Sequence, residues 1–168
     1  MSNVRPHVIA DVTIRLAVPA DAPRIALISR DLIEQGLQWG WRSSRVTKAI
    51  SDPETNVAVV GPEGRPIAFG IMEYQEEHAH LVLFAVQSDR QREGIGSSLL
   101  LWLEAVARTT GAERIQVEAR RENLTARSFY NEHGYHERVI DKAMYSNRGD
   151  GVLLEKWLRA RRSSQNEA

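Results

Sequence analysis

The chain has 168 residues, 22 Lys+Arg against 22 Asp+Glu, and no cysteine. That length fits one domain able to bury a full hydrophobic core without staples. The balanced charge gives no support for a nucleic-acid or polybasic membrane partner, and the lack of thiols excludes a disulfide framework, a cysteine nucleophile and a thiolate metal site.

Residues 1–11 mix Arg5, Pro6 and His7 with few apolar residues and carry no signal-peptide core; they read as a flexible N-terminus. The longest apolar runs, Leu81 to Val86 and Leu99 to Leu103, are too short to span a bilayer. A soluble cytoplasmic protein is expected, with one domain over residues 12–158 and a polar tail over 159–168.

In chain order, Val12 to Val18 alternates apolar residues with the period of a strand. Asp21 is placed to cap a helix whose first turn tolerates Pro23 and whose buried stripe is Ile25, Ile28, Leu32 and Ile33, ending at Gly36. After Leu37 to Trp41, Ser43 or Ser44 is placed to cap a short helix through Ile50, stopped by Asp52 and Pro53. Asn56 to Val60 and Pro66 to Tyr74 read as strands joined by the turn Gly61 to Gly64, and His78 to Val86 completes a three-strand meander. Gly94 and Gly96 open a long helix to Thr110, with Ile95, Leu99, Trp102, Leu103 and Val106 at helical spacing and Gly111 at a left-handed cap. Arg114 to Ala119 reads as a strand, and Asn123 caps a helix that carries Phe129 and Tyr130 and ends at Gly134. Extended runs at His136 to Ser146 and Val152 to Leu158 close the chain. The order predicts an α/β (α+β) fold with a mixed, largely antiparallel sheet of about seven strands flanked by four helices.

The most informative segment is Val86 to Ser97. A strand ends, Arg90 and Arg92 bring positive charge, and Gly94 and Gly96 sit at a helix start, where free N–H groups face outward and no β-carbon blocks a close approach. This can cradle a pyrophosphate, or it can simply start a helix beside solvated arginines; the loop alone leaves both open.

Gln91-Arg-Glu-Gly94-Ile-Gly96 resembles the Q/R-x-x-G-x-G/A motif of the GNAT superfamily of acyl-CoA-dependent N-acyltransferases. Asn123, Ala126, Phe129-Tyr130 and Gly134-Tyr135 are similar to that family's second block in order and spacing. The resemblance implies that Phe84, Ala85 and Val86 offer main-chain groups to the pantetheine arm, much as an added strand pairs with a sheet. It implies that Gln91, Arg92, Glu93, Gly94, Ile95, Gly96 and Ser97 bind the pyrophosphate, that Asn123 contacts the cofactor or holds the adjacent loop, and that Tyr130 sits near the thioester sulfur. It also implies fourth and fifth strands that splay apart to admit the acyl chain. Acetyl-CoA is the implied cosubstrate, with no metal.

Tyr130 is then a hydrogen-bond donor to the leaving thiolate, or alternatively a packing tyrosine. Reference pKa values of about 10 for Tyr and about 8.5 for a thiol make full proton transfer uphill by roughly 2 kcal/mol, so hydrogen bonding can suffice. The Glu118, Asn123 and Tyr130 spacing resembles the ribosomal-protein alanine N-terminal acetyltransferases, in which a glutamate helps deprotonate the amine; the alternative is a solvated strand glutamate. Glu73 is the rival carboxylate, and His78 and His80 on the fourth strand are further base candidates. Trp39 and Trp41 read either as a wall of the acceptor groove or as core capping, and Tyr145 resembles a residue of the last hairpin of N-terminal acetyltransferases. Only one tyrosine is present there, and Gly151 follows Asp150, a departure from that pattern.

With no cysteine to carry an acyl-enzyme, direct attack in a ternary complex is expected. A main-chain N–H near Val86 would meet the oxyanion, a contact typically worth about 3 kcal/mol. At pH 7 a lysine amine costs roughly 4.6 kcal/mol to deprotonate and an α-amine only roughly 1, which leans towards α-amines. The expected partner is a small-molecule amine or a peptide N-terminus, with no nucleic acid and no membrane, and a homodimer is left open. The competing class is a non-catalytic acyl-CoA-binding regulatory module, which needs the glycine loop but neither Tyr130 nor a base.

Overall fold

A computed structural model describes residues 12–138 and 151–159. The elements are β1 (Ile14–Leu16), α1 (Ala22–Ile28), α2 (Ser43–Ser51), β2 (Thr55–Val60), β3 (Ala68–Tyr74), β4 (His78–Val86), α3 (Ile95–Thr109), β5 (Arg114–Arg120), α4 (Leu124–Glu132), β6 (His136–Arg138) and β7 (Gly151–Trp157). They build a seven-stranded sheet in the order β1-β2-β3-β4-β5-β7-β6, in which only β4 and β5 run parallel. This is the mixed, largely antiparallel sheet with four helices that the sequence predicts.

Two buried clusters lie on opposite faces of the sheet. Ile25, Ala26 and Val46 from α1 and α2 pack on Val57, Val59, Phe69, Ile71, Leu83 and Ala85. On the other face Leu99, Leu103 and Ala107 of α3 and Tyr130 of α4 pack on Met72, Leu81, Ile115, Val117 and Leu154. Gly70 leaves the room that α3 needs, since a β-carbon there would lie 2.7 Å from Leu103 Cδ1.

Two expected helix caps are not made. The Asp21 side chain does not cap α1. It is fully buried, pairs with Arg15 at 2.8 Å, and accepts from the N–H groups of Val18 and Gly64. A long-range tie of β1 to the β2–β3 turn thus overrides the local cap. At α2 the N-cap is Arg42 in an extended conformation, and neither Ser43 nor Ser44 caps the helix. Asn123 does cap α4, its Oδ1 accepting from Ala126 N at 3.1 Å. After α1 the chain passes into one π turn, Ser29–Ile33, closed by Glu34 N donating to Ser29 O at 2.8 Å.

Candidate active site

The site begins where two parallel strands part. β4 pairs with β5 only from His78 to Leu81, against Arg114 to Val117. On the β3 side, Ile71 faces Leu83 and Met72 faces Leu81, leaving Val82 as an extra residue in β4. Such a bulge bends and twists the strand that carries it. It falls where the β4–β5 pairing stops, so Val82 to Val86 diverge from Glu118 to Arg120 and open a V-shaped gap. Gln87 N donates to Ile67 O at 2.8 Å, and alternation therefore turns the main-chain groups of Ala85 towards β3. Those of Phe84 and Val86 face the gap. Ala85 is thus corrected from a pantetheine contact to a member of the β3 ladder, with its side chain in the core.

Above the gap lies the start of α3. Gly94 has φ 81° and no side chain caps the helix, so the amides of its first turn have no partner within the helix. Arg92 also takes a positive φ, 68°. The loop is held by Gln91 Nε2 donating to Val86 O at 3.0 Å and by an Arg90–Glu93 ion pair at 2.9 Å. The Gln91 and Glu93 side chains thus hold the shape of the loop. Ile95 contributes only main chain, its side chain being buried in the core. Within the chain, a β-carbon at Gly96 would rest 3.5 Å from Phe129 and Val86, an ordinary contact. Ser97 Oγ lies 3.0 Å from Nε2 of the buried His133, whose Nδ1 is 2.7 Å from Phe129 O.

Tyr130 and Glu118 stand on opposite sides of the gap. Tyr130 is buried with its ring against Phe84 (6.3 Å), Phe129 (5.4 Å) and Tyr135 (5.6 Å). Burial raises the pKa of its hydroxyl, which stays protonated and can only donate. On β5, Val117 and Ala119 point into the α3–α4 cluster, so Gln116, Glu118 and Arg120 share the other face. Glu118 is exposed, no ion pair among the described residues claims its carboxylate, and partial desolvation raises its pKa. A β-carbon at Gly151 would collide with the Glu118 side chain, so this glycine gives the carboxylate its room. His80 lies opposite Gln116 on β5 and Glu73 on β3, with its pKa lowered by burial although Glu73 opposes the shift.

The sequence profile of the acetyltransferase (GNAT) family matches residues 26–135. The chain belongs to that family. It is 30% identical over 94 residues to the ribosomal protein bS18-alanine N-acetyltransferase of Escherichia coli K12, covering 54% of this chain and 64% of that protein. The chain thus spans a little under two thirds of the length of the curated relatives it matches. Among solved structures, the N-acetyltransferase PaiA of Thermoplasma acidophilum in complex with coenzyme A superposes with a TM-score of 0.74 at 18% identity, covering 88% of this chain and 99% of that one. The E. coli ribosomal-protein-S18-alanine enzyme gives 0.74 at 22% identity, with coverages of 93% and 98%. At these identities both likenesses concern the fold. The uncapped α3 amides and the β4–β5 gap suit the diphosphate and the pantetheine arm of a coenzyme A thioester.

In this member of the GNAT family the two tryptophans are engaged by the chain itself. Trp41 is buried with Arg45 over its ring at 3.9 Å; Trp39 has Arg42 at 4.6 Å and Arg30 at 5.5 Å, and its Nε1 donates to Ala26 O at 3.2 Å. Their ring faces meet arginines of this chain, which favours the core-capping alternative of the two read from the sequence. Tyr145 lies outside the described residues. Sequence reasoning missed Arg120, which reaches the end of the first helix, and Glu34, whose buried carboxylate accepts from Ser29 Oγ, Gly40 N and Trp41 N at 2.8, 2.7 and 3.1 Å. Nothing local marks Arg120, whose partners lie 85 and 87 positions away, and the partners of Glu34, five to seven positions on either side, follow no helical or strand period. Among the described residues no group of three or more His, Cys, Asp or Glu is placed to hold a metal, and no helix is long and apolar enough to cross a membrane.

Proposed function

We propose that the chain acetylates a primary amine by direct attack on acetyl-CoA in a ternary complex, with Glu118 as base and Tyr130 as hydrogen-bond donor to the departing thiolate. The observation that carries this is the placement of the two groups on opposite faces of the splayed β4 and β5. An ammonium cannot attack a thioester, and an exposed, unpaired carboxylate with a raised pKa on the open face suits removal of its proton. The amine adds to the thioester carbonyl, a free N–H of Phe84 or Val86 in the gap meets the resulting oxyanion, and its collapse breaks the C–S bond, the extra proton on nitrogen passing to solvent or to the departing thiolate. Tyr130, kept neutral by burial, hydrogen-bonds the sulfur from the α3–α4 face.

The acceptor is a small-molecule amine or a peptide N-terminus, acted on in the cytoplasm. The identity shared with the bS18-alanine enzyme favours an α-amine, which is also the cheaper amine to deprotonate. The test is thiol release from acetyl-CoA across alanine-initiated peptides, amino acids, aminoglycosides and polyamines. Release that depends on one of these amines is expected; coenzyme A binding with no transfer to any of them would favour the regulatory module instead.

A further inference from the structure

One side chain crosses from β5 to the opposite arm of the cleft. Arg120, the last residue of β5, donates from Nη1 to Gln35 O at 2.8 Å and from Nη2 to Ile33 O at 2.9 Å. Ile33 closes the π turn Ser29–Ile33, which packs on β4. One guanidinium therefore ties the two diverging strands together on the face that Glu118 occupies, two residues before it. Ile33 O is a main-chain carbonyl at a helix C-terminus, at the negative end of its dipole, and Gln35 O lies just past the C-cap Glu34. Arg supplies two donors in a fixed fork, where a lysine would supply one point charge.

The same carbonyls lead into the connection Gly36 to Arg42, which has no regular structure and is pinned from within by Glu34. Arg120 thus holds from outside what Glu34 holds from inside. Between the fork and the paired start of β4 and β5 lie Glu118, His80 and Glu73, facing the same side of the sheet.

We propose that Arg120 is a positioning residue for the acceptor: its fork closes the wide end of the cleft on the Glu118 face and fixes the outer wall of the amine pocket. An acceptor then enters amine first, between this wall and His80, which suits a chain terminus better than an amine set inside a bulky ring. The inference rests on the transferase reading above, although the fork can be tested without it.

Two measurements on the full chain decide the matter, using Arg120→Met and Arg120→Lys. The first is amide hydrogen exchange. In Arg120→Met, exchange over residues 36–41 is expected to rise about tenfold with the β5–β7 ladder unchanged, because a loop loses protection when its tie is cut. The second is calorimetry with coenzyme A and with a conjugate joining coenzyme A through an acetyl bridge to the α-amine of an alanine-initiated hexapeptide. Affinity for coenzyme A is expected to stay within about twofold, since neither hydrogen bond of the fork involves the diphosphate loop. Affinity for the conjugate is expected to fall about tenfold, the scale of a lost charged hydrogen bond, with partial recovery in Arg120→Lys. Unchanged exchange at 36–41 would overturn the proposal. So would equal losses for both ligands, or a conjugate that binds the unaltered protein no tighter than coenzyme A. Failure of the unaltered protein to bind coenzyme A would instead remove the transferase reading, leaving the exchange result to judge the fork.

Discussion

Desolvation, full for the buried Tyr130 and partial for the exposed Glu118, raises the pKa of both groups, with opposite consequences for their chemistry. For Tyr130 it removes any prospect of a base and leaves a neutral donor beside the gap. Phenylalanine keeps the packing against Phe84, Phe129 and Tyr135 and deletes only the hydroxyl. Tyr130→Phe should lower kcat about 10²-fold with coenzyme A affinity kept, the scale of one lost transition-state hydrogen bond. Thiol release and calorimetry together check this, and undiminished turnover would remove Tyr130 from the mechanism. Glu118 must be ionised to act, so kcat/KM should climb with pH through a value above the ordinary glutamate pKa of about 4.3. Glu118→Gln should erase that limb and lower kcat/KM by about 10²- to 10⁴-fold. The sign for stability is the reverse. A carboxyl whose folded pKa is raised contributes stability below its unfolded pKa, and that contribution is lost as pH rises through the folded value. At neutral pH the ionised Glu118 is thus a cost of folding, and the glutamine variant should melt no lower than the unaltered protein; a clearly lower melting temperature would place Glu118 in a structural role.

At the scale of elements, legibility followed how local the cause is. β4 was read to its end residues because an acidic turn and a polar loop bound it, and α3 because its apolar stripe is closed by Gly94 and Gly111, both at positive φ. The cap expected of Asp21 at α1 is not made because its oxygens are taken by Arg15, Val18 and Gly64, the last 43 positions away. The bulge at Val82 left no trace in the apolar run Leu81 to Val86, yet it opens the cleft. The glycine motif was legible as a pattern, but its two glycines differ in what they do. Gly94 needs its left-handed φ of 81°, so Gly94→Ala should cost about 1–2 kcal/mol and weaken coenzyme A binding by tilting the first amides of α3. A β-carbon at Gly96 meets only ordinary contacts, so Gly96→Ala should leave both within about 0.5 kcal/mol. Denaturant midpoints and calorimetry on the pair decide it; equal effects at both positions would mean that the backbone turn is not what the motif supplies.

Across the whole molecule, the sequence order of elements was legible but their adjacency was not. Nothing in the chain marks β7 as the strand inserted between β5 and β6, or the buried carboxylate that this insertion brings to rest. Glu104 looks like an error in the apolar stripe of α3, fully buried between Leu103 and Ala107. Its oxygens accept from Lys156 Nζ of β7 at 3.0 and 3.1 Å, and from Tyr135 Oη at 2.9 Å. Tyr135 in turn packs edge-on to Tyr130, so this cluster ties α3 to the residue proposed to meet the sulfur. Removing one member strands the others, and Glu104→Ala should cost about 3–5 kcal/mol, the usual penalty for orphaning a buried ion partner. Replacing all three with apolar residues of similar size, Glu104→Leu with Tyr135→Phe and Lys156→Met, leaves nothing to orphan and should recover most of that loss. Because the three touch, their effects are coupled and the single substitutions should sum to more than the triple. Urea denaturation of the set measures this directly. A triple variant less stable than Glu104→Ala would show that the cluster is a net source of stability rather than a polar tie whose members depend on one another.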